Sequence, residues 1–360
     1  MHMARALAIA EQGRGTTSPN PMVGAVIVDA EGIVVGTGAH EVAGGPHAEV
    51  HALADAGSRA RGATLYCTLE PCSHTGRTGP CAPRVVEAGI HRAVIAVEDP
   101  NPLVTGRGLA YLREHGIEVS VGLLADIAAR QNAPFFTVMR AGRPFVTMKV
   151  ALSGDRKVGR HGERIVLTGA AANRLIHRER AEVDAIGVGS GTLIADDPLL
   201  TARGAYRTRP LVRVIFDRRL RTPPSARLFS TRTHGPIIVA TTVVDRGAAG
   251  GRADALRQAG ATLEIVDPAP SGTFLRAVLA RLAASGVSSL VLEGGPTLHR
   301  AAWTEGVVDR VQVFATPRNV GADGVPWLDE DVVRLEALAD VRHVRMGDDR
   351  MSEGYVHRAR

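Results

Sequence analysis

A chain of 360 residues exceeds the usual size of one domain, so two are expected. It is 45% hydrophobic with mean hydropathy near zero and no run of eighteen or more apolar residues, which excludes a membrane span and fits a soluble protein with two cores. The net charge of +6 comes almost wholly from dispersed arginines, with lysine only at 149 and 157; without a basic arm, this suits phosphorylated small molecules better than nucleic acid.

The first ten residues read as an amphipathic helix without the long apolar core of a signal peptide, so the expected location is the cytoplasm. Thr17-Ser18-Pro19-Asn20-Pro21 follows as a rigid loop. Val23 to Val28 and Ile33 to Gly38 form two apolar runs around Asp29-Ala30-Glu31-Gly32, a hairpin by turn chemistry. His47 opens a helix from Ala48 to Ala56 that stops at Gly57. Ala63 to Leu69 is a buried strand delivering Glu70-Pro71-Cys72, and Cys81 starts another helix ending near Gly89. His91 to Val97 is a strand, Gly108 to Glu114 a helix and Ile117 to Val121 a strand. This alternation predicts a three-layer α/β/α domain. Leu123 to Arg140 reads as a closing helix and connector, and Ala141-Gly142-Arg143-Pro144 as a turn. The expected domains are 1–143 and 144–360.

The chemistry of the first half lies in Pro46-His47-Ala48-Glu49 and in Pro71-Cys72 and Pro80-Cys81. Zinc takes imidazole and thiolate in a tetrahedron, and a catalytic site keeps three protein ligands and leaves the fourth place to water. His47, Cys72 and Cys81 supply three. Glu49 is then free to move protons between water and a leaving amine. H-x-E with P-C-x-x-C is the signature of zinc nucleobase deaminases, but here eight residues separate the cysteines instead of two. The competing reading, three ordinary core residues, has to explain four matching residue types in order. The three cysteines, Cys67, Cys72 and Cys81, are odd in number and clustered, which suits a reducing compartment and a metal better than a disulfide framework.

Beyond the turn, Phe145 to Ala151 begins a second set of β/α units. Ala170 to Ala181 is helical and Ala185 to Val188 a strand. Leu211 to Phe216, Ile237 to Ala240 and Leu263 to Val266 are further strands, Thr273 to Ala284 a helix, and Ser289 to Leu292 a strand. Val308 to Ala315 and Met351 to Val356 finish the sheet. Glu293-Gly294-Gly295-Pro296-Thr297 joins a strand to a helix N-terminus, where backbone N–H groups can cradle phosphates; a plain turn has the same pattern. Asp196-Asp197-Pro198, with Thr192 before it and Arg203 after it, suits ribose hydroxyls and a phosphate, or equally a helix cap.

The spacing from Cys72 to Cys81, with Ser-His-Thr-Gly-Arg-Thr-Gly-Pro between them, resembles the pyrimidine deaminase of riboflavin biosynthesis. Lys149-Val150-Ala151, Arg180-Ala181-Glu182, Gly191 to Pro198 and Glu293 to Leu298 resemble the pyrimidine reductase of the same pathway. The resemblance covers nearly the whole chain in the order of the bifunctional family. It implies a cytidine-deaminase-like domain followed by a dihydrofolate-reductase-like α/β domain, with one Zn2+ in the first and NADPH in the second. It implies deamination of 2,5-diamino-6-ribosylamino-4-pyrimidinone phosphate and then reduction of the ribosyl ring to a ribityl chain. His47, Cys72 and Cys81 match the zinc ligands and Glu49 the proton shuttle. Asn20, His40, His74 and Arg77 match substrate contacts of the deaminase; Arg164, Arg180, Leu200, Arg203 and Glu293 match those of the reductase. Ala151, Val166, Thr192, Asp196 and the turn Gly295, Pro296, Thr297, Leu298, His299, Arg300 and Ala301 match cofactor positions, and Arg218 is a candidate for the 2′-phosphate. A homodimer or tetramer fits the same resemblance.

Two departures stand out. Many members of the resembling family carry Ser-Leu-Asp-Gly where this chain has Ser153-Gly154-Asp155-Arg156, and many carry tryptophan where it has Val166. A deaminase whose second domain is only structural or dimerising is therefore one rival reading. A nucleic-acid base deaminase, which would need an aromatic, basic groove, is another, and aromatics here are only 4%. A non-catalytic zinc module leaves Glu49 without a purpose.

Overall fold

The computed structural model describes residues 1–73, 79–163, 165–242, 248–267, 273–329 and 331–357. They fall into two compact units, the first spanning Met1–Gly142 and the second starting at Arg143. Among the described residues no helix is long and apolar enough to cross a membrane.

The first unit runs α1 (His2–Ala10), β1 (Gly24–Val28), β2 (Val34–Ala39), α2 (Ala48–Ala56), β3 (Thr64–Cys67), α3 (Cys81–Glu87), β4 (Arg92–Ile95), α4 (Arg107–Glu114), β5 (Glu118–Val121), α5 (Ala125–Gln131) and α6 (Ala133–Ala141). Its sheet has the order β2-β1-β3-β4-β5, antiparallel at the hairpin and parallel from β3 onward. Successive strand residues point to opposite faces. Ala25 and Ile27 of β1 therefore pack with Ala48 and Ala52 of α2 and Leu109 of α4. Val26 and Val28 pack with Met3 and Leu7 of α1 and Ala128 of α5. Two apolar clusters on opposite faces of one sheet make three layers. The expected closing helix over 123–140 is two helices, because Pro134 near the start of α6 cannot continue α5.

The second unit comprises β6 (Phe145–Leu152), β7 (Lys157–Arg160), α7 (Ala170–Glu182), β8 (Ala185–Gly189), α8 (Ser190–Asp196), β9 (Val212–Phe216), β10 (Ile237–Thr242), α9 (Ala248–Ala259) and β11 (Thr262–Val266). It continues with α10 (Phe274–Ala284), β12 (Ser289–Leu292), α11 (Pro296–Thr304), β13 (Arg310–Ala315), β14 (Gly324–Pro326), β15 (Ala339–Met346) and β16 (Asp349–Tyr355). The nine-stranded sheet has the order β11-β10-β9-β8-β12-β6-β13-β16-β15. Met148, Leu290 and Val311 meet α10 and α11 in the largest apolar cluster. Ile186 and Ile215 pack with Leu256 of α9 on the other face, and Phe314 packs with Ile176 of α7. Five elements were not legible in sequence: α8, α9, the polar edge strand β15, and the strands β7 and β14 of a separate ribbon.

Close backbone approach fixes where the first site sits. A Cβ at Gly36 or Gly38 of β2 would lie 2.3 Å from the carbonyl oxygens of Ala52 and Ala48. Glycine there lets α2 lie directly on β2, which brings His47 at its N-terminus to the end of the sheet.

Candidate active sites

His47 is the extended residue that caps α2, and Cys81 is the first residue of α3. Cys72 lies on the segment between β3 and α3, held by backbone N–H groups of Cys81 and Ala82 that both donate to its carbonyl at 3.0 Å. His47 Nδ1 is 3.6 Å from Cys72 Sγ and 3.3 Å from Cys81 Sγ, and all three ligand atoms lie within 4.8 Å of one another. A tetrahedral zinc ion about 2.1 Å from nitrogen and 2.3 Å from sulfur holds those ligands roughly 3.6 Å apart. The donor set therefore fits zinc in both chemistry and spacing. The Cys72 thiol is held down to about 4, chiefly by the hydrogen bond from Cys81 and, against burial, by His47. Cys81 is pushed up because it keeps the proton it shares with Cys72. Cys67, fully buried in β3, is pushed up by burial and stays a thiol.

Glu49 sits in the first turn of α2, fully enclosed. Burial drives its carboxyl up to about 7, and His47 only partly offsets this. Asn20 and His40 adjoin the triad. His40, 2% exposed, donates from Nδ1 to the Pro46 carbonyl at 3.0 Å, so its Nε2 accepts from Asn20 Nδ2 at 3.2 Å. Its ring stands edge-on to His47 with centroids 5.4 Å apart. His40 thus ties Asn20 to the residue preceding a metal ligand. His74 and Arg77 lie outside the described residues.

Sequence reasoning missed Glu70. Its buried carboxylate accepts N–H bonds from Asp99, Gly106, Gly108 and Leu109 at 2.9–3.4 Å. A Cβ at Gly108 would lie 1.9 Å from the Pro71 carbonyl oxygen. Together they lock the start of α4 onto the residue before Cys72. Glu70 preceding Pro71 was the available signal, overshadowed by the cysteine.

The second unit holds a cavity of about 560 Å³, within the usual range for small-molecule sites. Its wall includes Ala151, Val166, Arg180, Thr192, Asp196, Leu200, Glu293 and the turn Gly295 to Leu298, so most of the expected positions converge. Arg180 forms a bidentate pair with Glu293, Nε to Oε1 at 2.8 Å and Nη2 to Oε2 at 2.6 Å. Burial would raise the Glu293 carboxyl, but Arg180 and Lys149 overcome it and hold it at about 2. Thr192 Oγ1 accepts from the Gly295 N–H at 3.0 Å, joining α8 to the glycine turn.

Some expected positions fall elsewhere. His299 is 0% exposed and does not face the cavity; its Nδ1 lies 3.0 Å from the Trp327 indole N–H, and its Nε2 lies 3.1 Å from the Gly294 N–H and 3.2 Å from the Leu292 carbonyl. The helical period of α11 turns it inward. Arg300 pairs at the surface with Asp329 at 3.6 Å, and Ala301 packs against the core. Arg218 is exposed, with its guanidinium 5.8 Å from the Phe274 ring centroid and outside the cavity wall. Arg203 meets His177 instead of lining the cavity, and Arg164 lies outside the described residues. Lys149 is a further functional position that the sequence reading left without a role. It lines the cavity, 3.6 Å from Glu293 Oε2. One of only two lysines in an arginine-rich chain, placed mid-strand, was a readable signal.

The departures from the family pattern are accommodated differently. Asp155 accepts from Ser153 Oγ and from the Val320 and Gly321 N–H groups at 2.6–3.0 Å. A Cβ at Gly154 would lie 2.7 Å from Asn319 Oδ1, so here the 317–319 segment packs where a side chain would stand. Val166 is 57% exposed on the cavity wall.

The model of the cytidine and deoxycytidylate deaminase zinc-binding region matches residues 1–97, and that of the RibD C-terminal domain matches 144–351, more than half of the chain. The chain belongs to the RibD family. It is 40% identical over 342 residues to the riboflavin biosynthesis protein RibD of Aquifex aeolicus, covering 95% of this chain and 93% of that one. It is 38% identical over 366 residues to RibD of Escherichia coli, covering 95% and 96%. Among solved structures it is similar to Acinetobacter baumannii RibD, with TM-score 0.83, 33% identity and 98% and 97% coverage. It is also similar to a Thermotoga maritima diaminohydroxyphosphoribosylaminopyrimidine deaminase/5-amino-6-(5-phosphoribosylamino)uracil reductase, with TM-score 0.81, 30% identity and the same coverage. Membership makes the chain a bifunctional enzyme of riboflavin biosynthesis, with a zinc-binding deaminase domain and a reductase domain that uses NADPH.

Proposed function

We propose that residues 1–143 deaminate 2,5-diamino-6-ribosylamino-4-pyrimidinone phosphate and that residues 144–360 reduce the ribosyl group of the product to ribityl. The observation that carries this is the His47, Cys72, Cys81 triad at zinc spacing with Glu49 buried two residues from His47. Zinc, held by those three, would supply the Lewis acidity that makes a water acidic and nucleophilic near neutral pH. Glu49 does the proton work. Its carboxyl, buried in the first turn of α2 two residues from His47, can take a proton from the attacking water at Oε and return it to the leaving amine. Asn20, oriented by His40, reads the pyrimidine edge.

In the reductase, NADPH supplies the hydride. The glycine turn and Thr192 are suited to its phosphates, and Ala151, Val166 and Asp196 to the rest of it. Arg180 and Glu293 hold the substrate end, and Lys149 Nζ beside Glu293 is the ammonium that provides the proton accompanying reduction. A purely structural second domain is disfavoured by this buried charge cluster, since a lone structural role gives no return for enclosing three charges. We place the enzyme in the cytoplasm as a homodimer or tetramer acting on a small phosphorylated pyrimidine and not on nucleic acid.

The test is mass spectrometry of products from the diaminopyrimidine ribotide, with and without NADPH. A deaminated product alone, then a deaminated and reduced product on adding NADPH, is the expected result. Deamination without reduction would reduce the second domain to a structural module, and no deamination by zinc-loaded protein would overturn the substrate assignment.

A further inference from the structure

α7 carries Arg180 in its last turn and ends without the glycine that commonly closes a helix; Val183, at the cap, is extended with φ −80° and ψ 159°. The Val183 N–H donates back to the Glu179 carbonyl at 3.0 Å, and the carbonyls beyond that one need partners from outside the helix. Arg207 supplies them. Its Nη1 lies 3.0, 2.7 and 2.6 Å from the carbonyl oxygens of Arg180, Ala181 and Val183, and its Nη2 donates to the Pro210 carbonyl at 2.9 Å. A cation at this end also meets the negative pole of the helix dipole. Burial, with Arg209 beside it, lowers the Arg207 pKa only to about 10, so the guanidinium stays charged at neutral pH.

Arg207 belongs to the segment from Asp197 to Leu211, which joins α8 to β9 as irregular backbone. Connections of that length are uncommon unless they serve a site. This one forms part of the reductase cavity: Pro198 and Leu200 line it, and Leu200 turns the chain with a left-handed φ of 51°. The segment is joined to Arg180 at two points. Arg180 Nη1 donates to the Thr201 carbonyl at 3.1 Å, and the Arg180 carbonyl accepts from Arg207. The other edge of the Arg180 guanidinium is on Glu293. Beyond Arg207, Arg209 pairs with Asp184 at 2.7 Å, and Asp184 accepts the Ser288 and Ser289 N–H groups at 2.8 and 3.0 Å, which fixes the far end of the segment to the start of β12.

We propose that Arg207 is a positioning residue of the reductase: from outside the cavity wall it caps α7, fixes Arg180 and the wall at Pro198 and Leu200, and so sets the affinity for the pyrimidine ribotide. The inference rests on the reductase reading above and adds to it a residue that acts through Arg180. Without the cap the last turn of α7 frays, and the substrate must then order Arg180 as it binds. The cofactor side is held separately, by the bond between Thr192 and the Gly295 N–H.

The experiment follows NADPH oxidation by the full chain with the deaminated pyrimidine ribotide. Arg207→Ala is expected to raise KM for the ribotide about tenfold and KM for NADPH by less than about twofold. Millimolar guanidinium, which refills the vacated place at the helix end, is expected to restore most of the ribotide KM, whereas the same concentration of urea is not. Guanidinium weakens a variant that is merely destabilised, so this rescue separates positioning from folding. Arg207→Lys keeps a cation and N–H donors at the helix end; its ribotide KM is expected to fall between those of wild type and Arg207→Ala, which provides the test if the alanine variant does not fold. Unchanged ribotide KM in either variant, equal rises for ribotide and NADPH, or no rescue of Arg207→Ala by guanidinium would overturn the proposal. A wild-type chain that leaves NADPH unoxidised in the presence of the ribotide would instead sink the reductase reading, and this inference with it.

Discussion

Arg180 and Glu293 lie 113 residues apart in sequence and meet through two hydrogen bonds of 2.8 and 2.6 Å in the wall of one cavity. With Lys149 3.6 Å from the same carboxylate, a buried negative charge is held between two positive ones. Replacing Glu293 by alanine leaves those two cations enclosed without their partner. Such a loss typically costs about 3–5 kcal/mol. We expect Glu293→Ala to abolish NADPH-dependent reduction and lower the stability of the second unit, while deamination persists. Separate assays of the two reactions check this, and loss of deamination in a folded variant would count against two independent sites.

The same separation works from the other side for Glu49. Glu49→Gln keeps the shape of the side chain and leaves His47, Cys72 and Cys81 untouched. Removing a general acid–base group costs about 10²–10⁴ in rate. The variant should retain zinc by elemental analysis, lose deamination by that factor, and reduce the deaminated substrate normally. Wild-type deamination by Glu49→Gln would end the proton-shuttle assignment.

Zinc removal gives a related but distinct outcome. Chelation should abolish deamination and open first Cys72, the half-buried thiol held down in pKa, and more slowly the buried Cys81 to a thiol reagent, while Cys67 remains unreactive in its buried strand. Titration of reactive thiols before and after chelation measures this, and reduction should be unaffected. A third thiol appearing at the same rate would show that the first unit has unfolded.

Much of this arrangement was legible in the chain because its signals are local. His47 and Glu49 are two residues apart, each cysteine follows a proline, and α2 runs over the residues that its capping and Gly57 predict. What was not legible depended on rotation or on distant partners. The period of α11 turns Leu298 toward the cavity and His299 toward Trp327, and nothing in the sequence sets that phase. Arg218 as a phosphate contact failed because its guanidinium lies over Phe274, more than fifty residues away in sequence. The edge strand β15 carries arginines, aspartate and histidine on exposed positions, so its composition reads as loop. Lys149 lacked a role until Glu293 stood beside it.

His299 also gives the second unit a pH dependence. Burial holds its pKa down to about 4 from 6.5, so the folded state keeps the ring neutral. Between those values the unfolded chain binds the extra proton, and stability therefore falls as pH drops from about 6.5 toward 4. It is fully present above 6.5, and the whole effect is at most on the order of 3 kcal/mol. Both tryptophans, Trp303 and Trp327, belong to the second unit, so intrinsic fluorescence follows its unfolding alone. Urea midpoints at pH 7 and pH 5 should separate more in wild type than in His299→Gln. Equal separation would remove His299 as the cause.

Val166 offers a gain of function. It stands 57% exposed on the wall that also carries Ala151 and the glycine turn. A tryptophan there would add apolar and π contact to a bound nicotinamide or ribose, at about 25 cal/mol for each Å² covered. Roughly 40–60 Å² of extra cover corresponds to about 1–1.5 kcal/mol, or about five- to tenfold in affinity. The position is on the surface of a cavity and not in a packed core, so the larger ring has room. Val166→Trp is therefore expected to lower KM for NADPH by about that factor and leave deamination unchanged. Steady-state kinetics at fixed pyrimidine concentration measures it. An unchanged or raised KM for NADPH would mean that the cofactor does not pass over residue 166, and its path would then have to be drawn along the Thr192 side of the cavity.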